Sequence, residues 1–345
     1  GKPRLSYISP LARQIARSEL GNSFLRIKEH PAFSGKIFFG DDFFMWRGTS
    51  WEDMRCGPLA DYSFHAITNF KEKTGLEAPR PSPDDLKKVT GIIPDNDPWL
   101  LWNRFRCKDI FADYMKVVCD TYKSKLNADT HHVFETWWNP GFGVCPSYEQ
   151  KVLTLPGYYS YPASPYMHLF GVEAVRLGAD DKDIFIIPSA HNNLWGKWFE
   201  ERSPEYERAV FHSILAGGGK GVLYCPFQPV WEFDEGHKAV WQEFRRQGEF
   251  LQKYGKLLYA LRRKKEPVGL LLSFSSDVYR VLERPNEHCF KVAGSFFSLL
   301  RAQIPVELVD EEQVASGDLS RFKLIYLSDV SVLPQSVAKA LEDFI

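Results

Sequence analysis

The sequence lacks several features that would assign it to a class at once. It has no run of about 18 apolar residues, so no membrane-spanning helix is expected. With 43 basic and 44 acidic residues the formal net charge is −1, which gives no reason to expect a nucleic acid or a membrane as partner. The first ten residues, GKPRLSYISP, lack the charged and then apolar profile of a secretory signal. The sequence therefore does not distinguish a cytoplasmic from a periplasmic location.

Motifs for metals and cofactors are also missing. The six cysteines include no C-x-x-C pair, so they indicate neither a disulfide framework nor a zinc site, and most are expected to be buried thiols. His131 and His132 cannot chelate one ion together, because adjacent strand residues face opposite sides. No G-x-G-x-x-G motif occurs, so a dinucleotide role is not indicated. We expect no metal and no cofactor.

Aromatic residues, in contrast, are abundant. The chain contains 10 Trp, 15 Tyr and 26 Phe, which together make up 15% of it. Many of these side chains belong in a core. Trp and Tyr in loops, however, are suited to flat, amphipathic ligands such as sugars.

Apolar strands alternate with amphipathic helices up to residue 262, and this alternation predicts a parallel sheet with crossover helices. The Pro-rich and Asp-rich residues 76–98 are predicted to form a loop. Functional residues on the loops after the strands are typical of a (β/α)8 barrel. We therefore predict a barrel of the TIM type for residues 1–262. The predicted strands end in polar and aromatic segments: GDDFFMWR, ETWWNP, YYSYP, SAHNNLW and FQPVWE.

A second pattern follows the charged segment RRKKEP at residues 262–267. The segments PVGLLLSFS, IPVELVD and RFKLIYLSD have the composition of strands. EHCFKVAGSFFSLLRAQ and SVAKALEDFI have the spacing of helices. We predict a doubly wound α/β domain, separate from the barrel, for residues 267–345.

Four segments resemble the family 42 β-galactosidases and related barrel hydrolases. HPAFSGKIFFGDDFF is similar to the family's helix end and fourth strand, which carries the acid/base carboxylate. CGPLADYSFHAITNFKEKTG resembles the cysteine-containing loop and helix that follow, and GYYSYP resembles the sixth strand. YERAVFHSILAGGGKGVLYCPFQP is similar to the helix, glycine-rich turn and eighth strand. Residues 268–345 resemble the amidotransferase-like domain after the barrel.

The resemblance implies that barrel strands four to eight are present, that strands one to three are missing and that the last domain is cut short. We therefore expect a fragment, since an open barrel exposes unpaired backbone groups at both edges. The resemblance further implies a homo-oligomer formed through the C-terminal domain. Relatives often carry a metal-binding cysteine cluster, of which only Cys56 remains here, and no metal site is expected.

Asp41 and Asp42 are the candidate proton donors. Adjacent like charges beneath aromatic side chains disfavour double ionisation and raise the pKa of one carboxyl. The resemblance places Asp41 at the acid/base position without a gap, whereas related sequences that read D-D-D-F favour Asp42. Successive strand side chains point to opposite faces, so only one of the two would face a substrate. The family has the longer Glu at this position. The alternative role for the pair is a turn or helix cap.

The second carboxylate is harder to identify. The family's nucleophile, a Glu, ends strand seven, and the matching segment IFIIPSAHNNLW contains no acid. Either Glu135 takes this role, or Glu232 or Asp234 reaches in from strand eight, or the protein does not use the two-carboxylate route. For Glu135 a structural ion pair is the alternative.

The remaining candidates are aromatic or polar residues of the five segments after the strands. Aromatic rings stack on sugar CH faces, and polar side chains bond hydroxyls. The candidate binding residues are Trp46, Arg47, Trp137, Trp138, Asn139, Tyr159, Tyr161, His191, Asn192, Trp195, Gln228, Trp231 and Glu232. The sequence thus predicts a glycoside hydrolase that acts on a galactoside-like carbohydrate. The alternative is a catalytically silent carbohydrate-binding or assembly protein on the same fold.

Overall fold

The structure, a computed structural model, describes most of the chain. The described residues are 6–20, 22, 25–39, 61–132, 145–160, 164–188, 192–194, 197–200, 203–224, 238–262, 264–280 and 287–345.

The fold is mixed α/β, with helices and short, mostly parallel strands. The α-helices are α1 (Pro10–Ile15), α2 (Phe64–Thr74), α3 (Pro83–Lys88), α4 (Pro98–Phe105), α5 (Asp113–Leu126), α6 (Pro146–Val152), α7 (Met167–Ala179), α8 (Pro204–Ala216), α9 (Lys238–Ala260), α10 (Phe274–Arg280), α11 (Glu287–Arg301), α12 (Glu311–Ala315) and α13 (Gln335–Phe344). The strands are β1 (Lys36–Phe39), β2 (Gly91–Ile93), β3 (Asp129–His132), β4 (Gly157–Ser160), β5 (Phe185–Pro188), β6 (Asn192–Leu194), β7 (Lys197–Glu200), β8 (Gly221–Val222), β9 (Val268–Leu272), β10 (Val306–Asp310), β11 (Leu324–Leu327) and β12 (Val332–Pro334).

Short irregular helices complete the list. A π-helical segment, Arg106–Ala112, joins α4 to α5, and a second, Ala16–Leu20, continues α1. Residues Leu25–Ile27 form one 3₁₀ turn. None of the helices within the described ranges is long and apolar enough to cross a membrane.

Local sequence explains where several helices begin. At four starts a Ser or Asp side chain accepts a hydrogen bond from the backbone N–H three residues on, and a proline follows it. The proline suits the first helical turn, since its fixed φ is helical and it lacks an N–H that would have no partner there. These pairs are Ser9-Pro10, Ser82-Pro83, Asp97-Pro98 and Ser203-Pro204.

Five strands from the first part of the chain form two parallel sheets, β1–β3 and β4–β5–β8. β1 pairs with β3, with Phe39 opposite His132. β5 pairs with β4 on one side and with β8 on the other. The backbone N–H of Leu155 donates to Thr130 at 3.1 Å, which brings β3 beside the segment that leads into β4. The carboxyl ends of all five strands therefore lie at one edge.

The C-terminal part contains a second parallel sheet, in which β9 lies between β10 and β11. Leu270 is opposite Leu308 on one side and Tyr326 on the other. β9 is buried along its whole length, as expected for the central strand of a parallel sheet covered on both faces.

Residues 76–98, which the sequence predicts as a loop, contain a helix and a strand. α3 begins at a capping box in which Ser82 and Asp85 satisfy each other's backbone N–H groups. β2 pairs in parallel with β12, with Ile92 opposite Leu333. The loop prediction was wrong here because the partner of β2 lies about 240 residues away in the chain.

One apolar cluster extends across residues 262–267, where the sequence predicts a domain boundary. Trp102 and Phe170 from the first part belong to the same buried cluster as Leu270 and Phe296 from the second. The rings of Phe170 and Phe296 lie 5.4 Å apart. The indole N–H of Trp99 donates to the Val278 carbonyl at 3.0 Å. The division into two domains stays a prediction, and the two parts share buried apolar surface.

Candidate active site

The candidate active site is the carboxyl edge of β1, β3, β4, β5 and β8. Each segment with predicted site residues begins at this edge. In the chain, residues 40–47 follow β1 and residues 133–139 follow β3, while Tyr159 belongs to β4 and Tyr161 comes after it in the sequence. Residues 189–195 follow β5, and residues 225–232 follow Tyr224, two residues beyond β8. Parallel pairing within the two sheets, together with the Leu155–Thr130 hydrogen bond between them, thus starts all five segments from one edge.

Most of the predicted site residues lie outside the described residues. They are Asp41, Asp42, Trp46, Arg47, Cys56, Glu135, Trp137, Trp138, Asn139, Tyr161, His191, Trp195, Gln228, Trp231, Glu232 and Asp234. Their roles stay predictions, and so does the separation between the proposed acid and its partner.

For two of the predicted residues the structure gives the backbone position. Tyr159 lies in β4, opposite Ile187 of β5. Asn192 begins β6, which forms an antiparallel hairpin with β7 and places Asn192 opposite Glu200. The sequence predicts a loop after β5, and the hairpin was not anticipated, because its strands lack clear polar and apolar alternation.

The opposite, amino ends of β4 and β5 are closely packed at Gly157. A Cβ atom at this position would lie 1.6 Å from the Phe185 carbonyl oxygen and 2.4 Å from Cε1 of His131. The imidazole of His131 is fully buried, and its Nδ1 lies 2.9 Å from the Leu155 carbonyl oxygen. The expectation that His131 is a buried or surface histidine and not a ligand agrees with this packing role.

The backbone N–H and carbonyl groups of Gly157 both bond to a side-chain amide. Gln150 of α6 accepts from the Gly157 N–H at 2.8 Å and donates to the Gly157 carbonyl at 3.1 Å. The Gln150 side chain is buried, so both of its polar ends are satisfied at the start of β4. This contact sets the position of β4 against α6.

Tyr158 connects β4 to α7 and was not singled out by sequence reasoning. Its hydroxyl lies 2.7 Å from Nδ1 of His168, and the two rings stack. Burial raises the pKa of Tyr158 well above its ordinary value, so the hydroxyl stays protonated. Gly171 of α7 allows this approach, because a Cβ there would lie 2.6 Å from the tyrosine ring. The feature of the sequence that could have indicated a role for Tyr158 is the tyrosine-rich strand segment GYYSYP.

The last strand is supported from α8 and α9. The Tyr224 hydroxyl, just beyond β8, donates to Oε1 of Gln247 at 2.8 Å. Arg208 of α8 forms a two-pronged ion pair with Glu243 of α9, with N–O distances of 3.1 and 2.5 Å. This pairing lowers the pKa of Glu243 below its ordinary value. α8 and α9 are thereby held together next to Tyr224.

Thiols and metal ligands do not form a site in the part of the chain that the structure describes. Cys107, Cys119, Cys145 and Cys289 are buried, which confirms the prediction of buried thiols for these four. Burial raises the pKa of Cys107 and Cys119 to about 12, so both are unreactive thiols at neutral pH. No group of three or more His, Cys, Asp or Glu suited to a metal ion occurs among the described residues.

Comparison with known proteins gives matches at the level of structure only. No protein-family model matches the chain, and no curated protein matches it. A β-galactosidase from Bacillus circulans sp. alkalophilus matches with a TM-score of 0.69 at 14% identity, over 98% of this chain and 53% of that chain. A family 42 β-galactosidase from G. stearothermophilus matches with a TM-score of 0.66 at 15% identity, over 99% of this chain and 54% of that chain.

A third match comes from another glycosidase. The α-L-fucosidase isoenzyme 2 from Paenibacillus thiaminolyticus has a TM-score of 0.58 at 13% identity, over 99% of this chain and 44% of that chain. The chain thus spans about half the length of the solved structures it matches. It shares its fold with the family 42 β-galactosidases and is a distant structural relative of them.

Proposed function

We propose that this chain is a glycosidase whose active site lies at the carboxyl edge of β1, β3, β4, β5 and β8. One observation carries the proposal. The five strands form two parallel sheets that meet at β3 and β4, so the five segments with polar and aromatic residues all start at one edge. The fold shared with β-galactosidases and an α-L-fucosidase supports the same reaction class.

In this proposal the five strands are strands four to eight of a (β/α)8 barrel. Their chain-order adjacency is the arrangement that such a barrel requires. Residues 267–345 then form the amidotransferase-like domain, and their parallel sheet with β9 at its centre is compatible with it. An oligomer formed through this domain belongs to the same proposal.

The chemistry assigned to this edge is acid-assisted cleavage of a glycosidic bond. Asp41 or Asp42 protonates the leaving oxygen, because one of two adjacent carboxyl groups keeps its proton at neutral pH. Glu135, after β3, is the first candidate for the partner, and Glu232 is the second. The neighbours named as β-galactosidases favour a galactoside as substrate class. The aromatic residues after the strands would hold the sugar ring.

A second function is favoured by one feature of the segment after β5. Residues 189–199 contain no carboxylate, and Glu200 of β7 is the first acid beyond the strand. A site without its second carboxylate can bind a sugar and not cleave it. On that alternative the protein is a carbohydrate-binding member of the same fold.

Hydrolysis of aryl glycosides tests the proposal. We expect the chain to cleave aryl β-galactosides, and either Asp41→Asn or Asp42→Asn to lower kcat by at least about a hundredfold. Asp120→Asn is the matched control, since this exposed carboxylate on α5 only pairs with Lys116 of the same helix. If both Asp41→Asn and Asp42→Asn keep the rate of the control, the assignment of the acid is wrong.

Sugar binding separates the two candidate functions. Quenching of tryptophan fluorescence by galactose without turnover of any aryl glycoside would support the binding protein. The absence of both turnover and quenching would contradict both functions.

A further inference from the structure

A second site lies at the opposite edge of the parallel strands. A cavity of about 490 Å³ opens between the amino ends of β5, β8 and β10. Asp183 precedes β5, Lys220 precedes β8 and Glu307 belongs to β10, and all three line the cavity. Its volume falls in the range of small-molecule sites. The proposed glycosidase reaction, at the carboxyl edge, does not use it.

The lining is strongly charged, with more positive than negative groups. Seven Arg and Lys side chains and five Asp and Glu side chains face the cavity, which leaves a net charge of +2. The segment after α9 supplies Arg262, Lys264 and Lys265, so the excess is concentrated at one wall. A concave surface with this excess attracts anions.

Several of the acids in the lining are already engaged. Oε1 of Glu173 lies 3.5 Å from Nε of Arg176. Glu307 forms an ion pair with Arg321, and its other oxygen accepts from the Glu266 N–H at 2.9 Å. Asp183 accepts from the Tyr259 hydroxyl at 2.6 Å. These contacts reduce the repulsion that an entering anion would meet.

Two lysines offset the negative ends of nearby helices. The Lys182 ammonium donates to the Lys151 and Leu153 carbonyls at the end of α6, at 2.6 and 3.1 Å. The Lys220 ammonium donates to the Leu258 and Leu261 carbonyls at the end of α9, at 2.9 and 2.7 Å. A helix C-terminus carries a partial negative charge that would repel an anion, and both ends are neutralised here.

The cavity also has cationic side chains that acidic groups do not fully engage. Nη1 of Arg321 is shielded from solvent and has no hydrogen-bond partner among the described residues, although such buried donors are normally satisfied. The Arg321 guanidinium is held by Glu307 and by the ring of Phe322, 3.9 Å away. Lys264 and Lys265 are exposed at the same cavity and have no acidic partner within the described ranges.

We propose that this cavity binds a small dianion through its phosphate group. The planar guanidinium of Arg321 suits phosphate oxygens, and Lys264 and Lys265 neutralise the second charge. The phosphate group would lie between the amino ends of β5 and β8 on one side and the amino end of β10 on the other. The source is inorganic phosphate or the phosphate of a phosphorylated sugar, since both present the same group.

Calorimetric titration of the full chain tests this site. The probes are inorganic phosphate, glucose 1-phosphate and glucose, each at constant ionic strength set with NaCl. We expect both phosphate compounds to bind and glucose not to bind. Binding of glucose 1-phosphate at least about tenfold tighter identifies a sugar phosphate as the ligand, and equal binding identifies the phosphate group alone. Failure of both phosphate compounds to bind overturns the proposal.

Matched charge variants locate the binding. Lys264→Gln combined with Lys265→Gln should weaken phosphate binding by about tenfold or more, since each charge-assisted contact contributes strongly. Lys253→Gln combined with Lys256→Gln removes the same charge from the exposed face of α9 and should leave binding unchanged. Equal affinity of the two double variants overturns the assignment.

A thermal measurement provides an independent readout. Saturating phosphate should raise the Tm of the wild type by about 2–5 °C, because a ligand of the folded state stabilises it. Arg321→Gln should lose this rise, and its Tm without phosphate reports whether the variant folds. An equal rise in Arg321→Gln contradicts the role of that side chain. Turnover of aryl glycosides by the Lys264/Lys265 variant should match the wild type, which separates this site from the proposed active site.

Discussion

Gly157 lies where β4 is closely packed against both β3 and β5. Its backbone is bonded on one side by the Gln150 amide, and its missing side chain leaves room for the Phe185 carbonyl and the His131 ring. A residue with a Cβ would have to displace backbone atoms of β5, which the packed interior resists. The spacing of β4 and β5 at their amino ends therefore depends on this glycine.

Gly157→Ala should lower the free energy of unfolding by about 2–4 kcal/mol, because the added methyl group overlaps the backbone of β5. Urea unfolding followed by circular dichroism measures the change. Gly248→Ala is the matched control. Gly248 lies within α9 with no atom within 4 Å of a new Cβ, and alanine there should stabilise by about 0.5–1 kcal/mol. Equal effects of the two substitutions would contradict this account of Gly157.

Local sequence predicts the elements well where their causes are local. The Ser-Pro and Asp-Pro pairs at the starts of α1, α3, α4 and α8 act within one helical turn. Apolar runs such as Phe185–Pro188 and Val268–Leu272 are strands, as predicted. The failures are β2 and the β6–β7 hairpin. β2 depends on pairing with β12, a contact that no local pattern encodes.

The contact between α8 and α9 includes a carboxylate, Glu243, whose pKa differs between the folded and the unfolded chain. Pairing with Arg208 holds the pKa of Glu243 below its ordinary value of 4.5. As the pH falls, the unfolded chain therefore takes up this proton before the folded chain does. The ion pair stabilises the folded state above pH 4.5, and this contribution is lost as the pH falls through the lower folded-state pKa.

Glu243→Gln should therefore make the free energy of unfolding less sensitive to pH between 7 and 3. Urea unfolding at several pH values gives the slope. Glu249→Gln is the control on the same helix, since that carboxylate is 59% exposed and pairs only with Arg245 one turn away. Equal slopes for the two variants would show that the Arg208 pair does not couple folding to pH.

At the scale of the whole molecule, the two predicted domains share one apolar cluster. Phe170 from α7 and Phe296 from α11 are fully buried against each other, and β2 pairs with β12 across the predicted boundary. A shared cluster couples the unfolding of the two parts, because exposing one part removes the packing of the other.

We expect a single unfolding transition for residues on both sides of the boundary, and Phe296→Ala to lower its free energy by about 3–5 kcal/mol. Calorimetry and the fluorescence of the tryptophans, all of which precede residue 262, measure it with two probes. Phe290→Ala is the control, since this phenylalanine on the same helix is 61% exposed. Two separate transitions, with only the C-terminal one shifted by Phe296→Ala, would contradict a shared core.

The sequence by itself determined the alternation of strands and helices, the helix starts, the polar and aromatic segments after the strands and the resemblance to the family 42 β-galactosidases. All of these depend on short-range pattern and residue type. Only the tertiary structure decided that the five strands lie side by side, that both parts share a core and that a cationic cavity lies at the amino edge. These features depend on contacts between residues far apart in the chain. A local sequence pattern does not encode the free energies of such contacts.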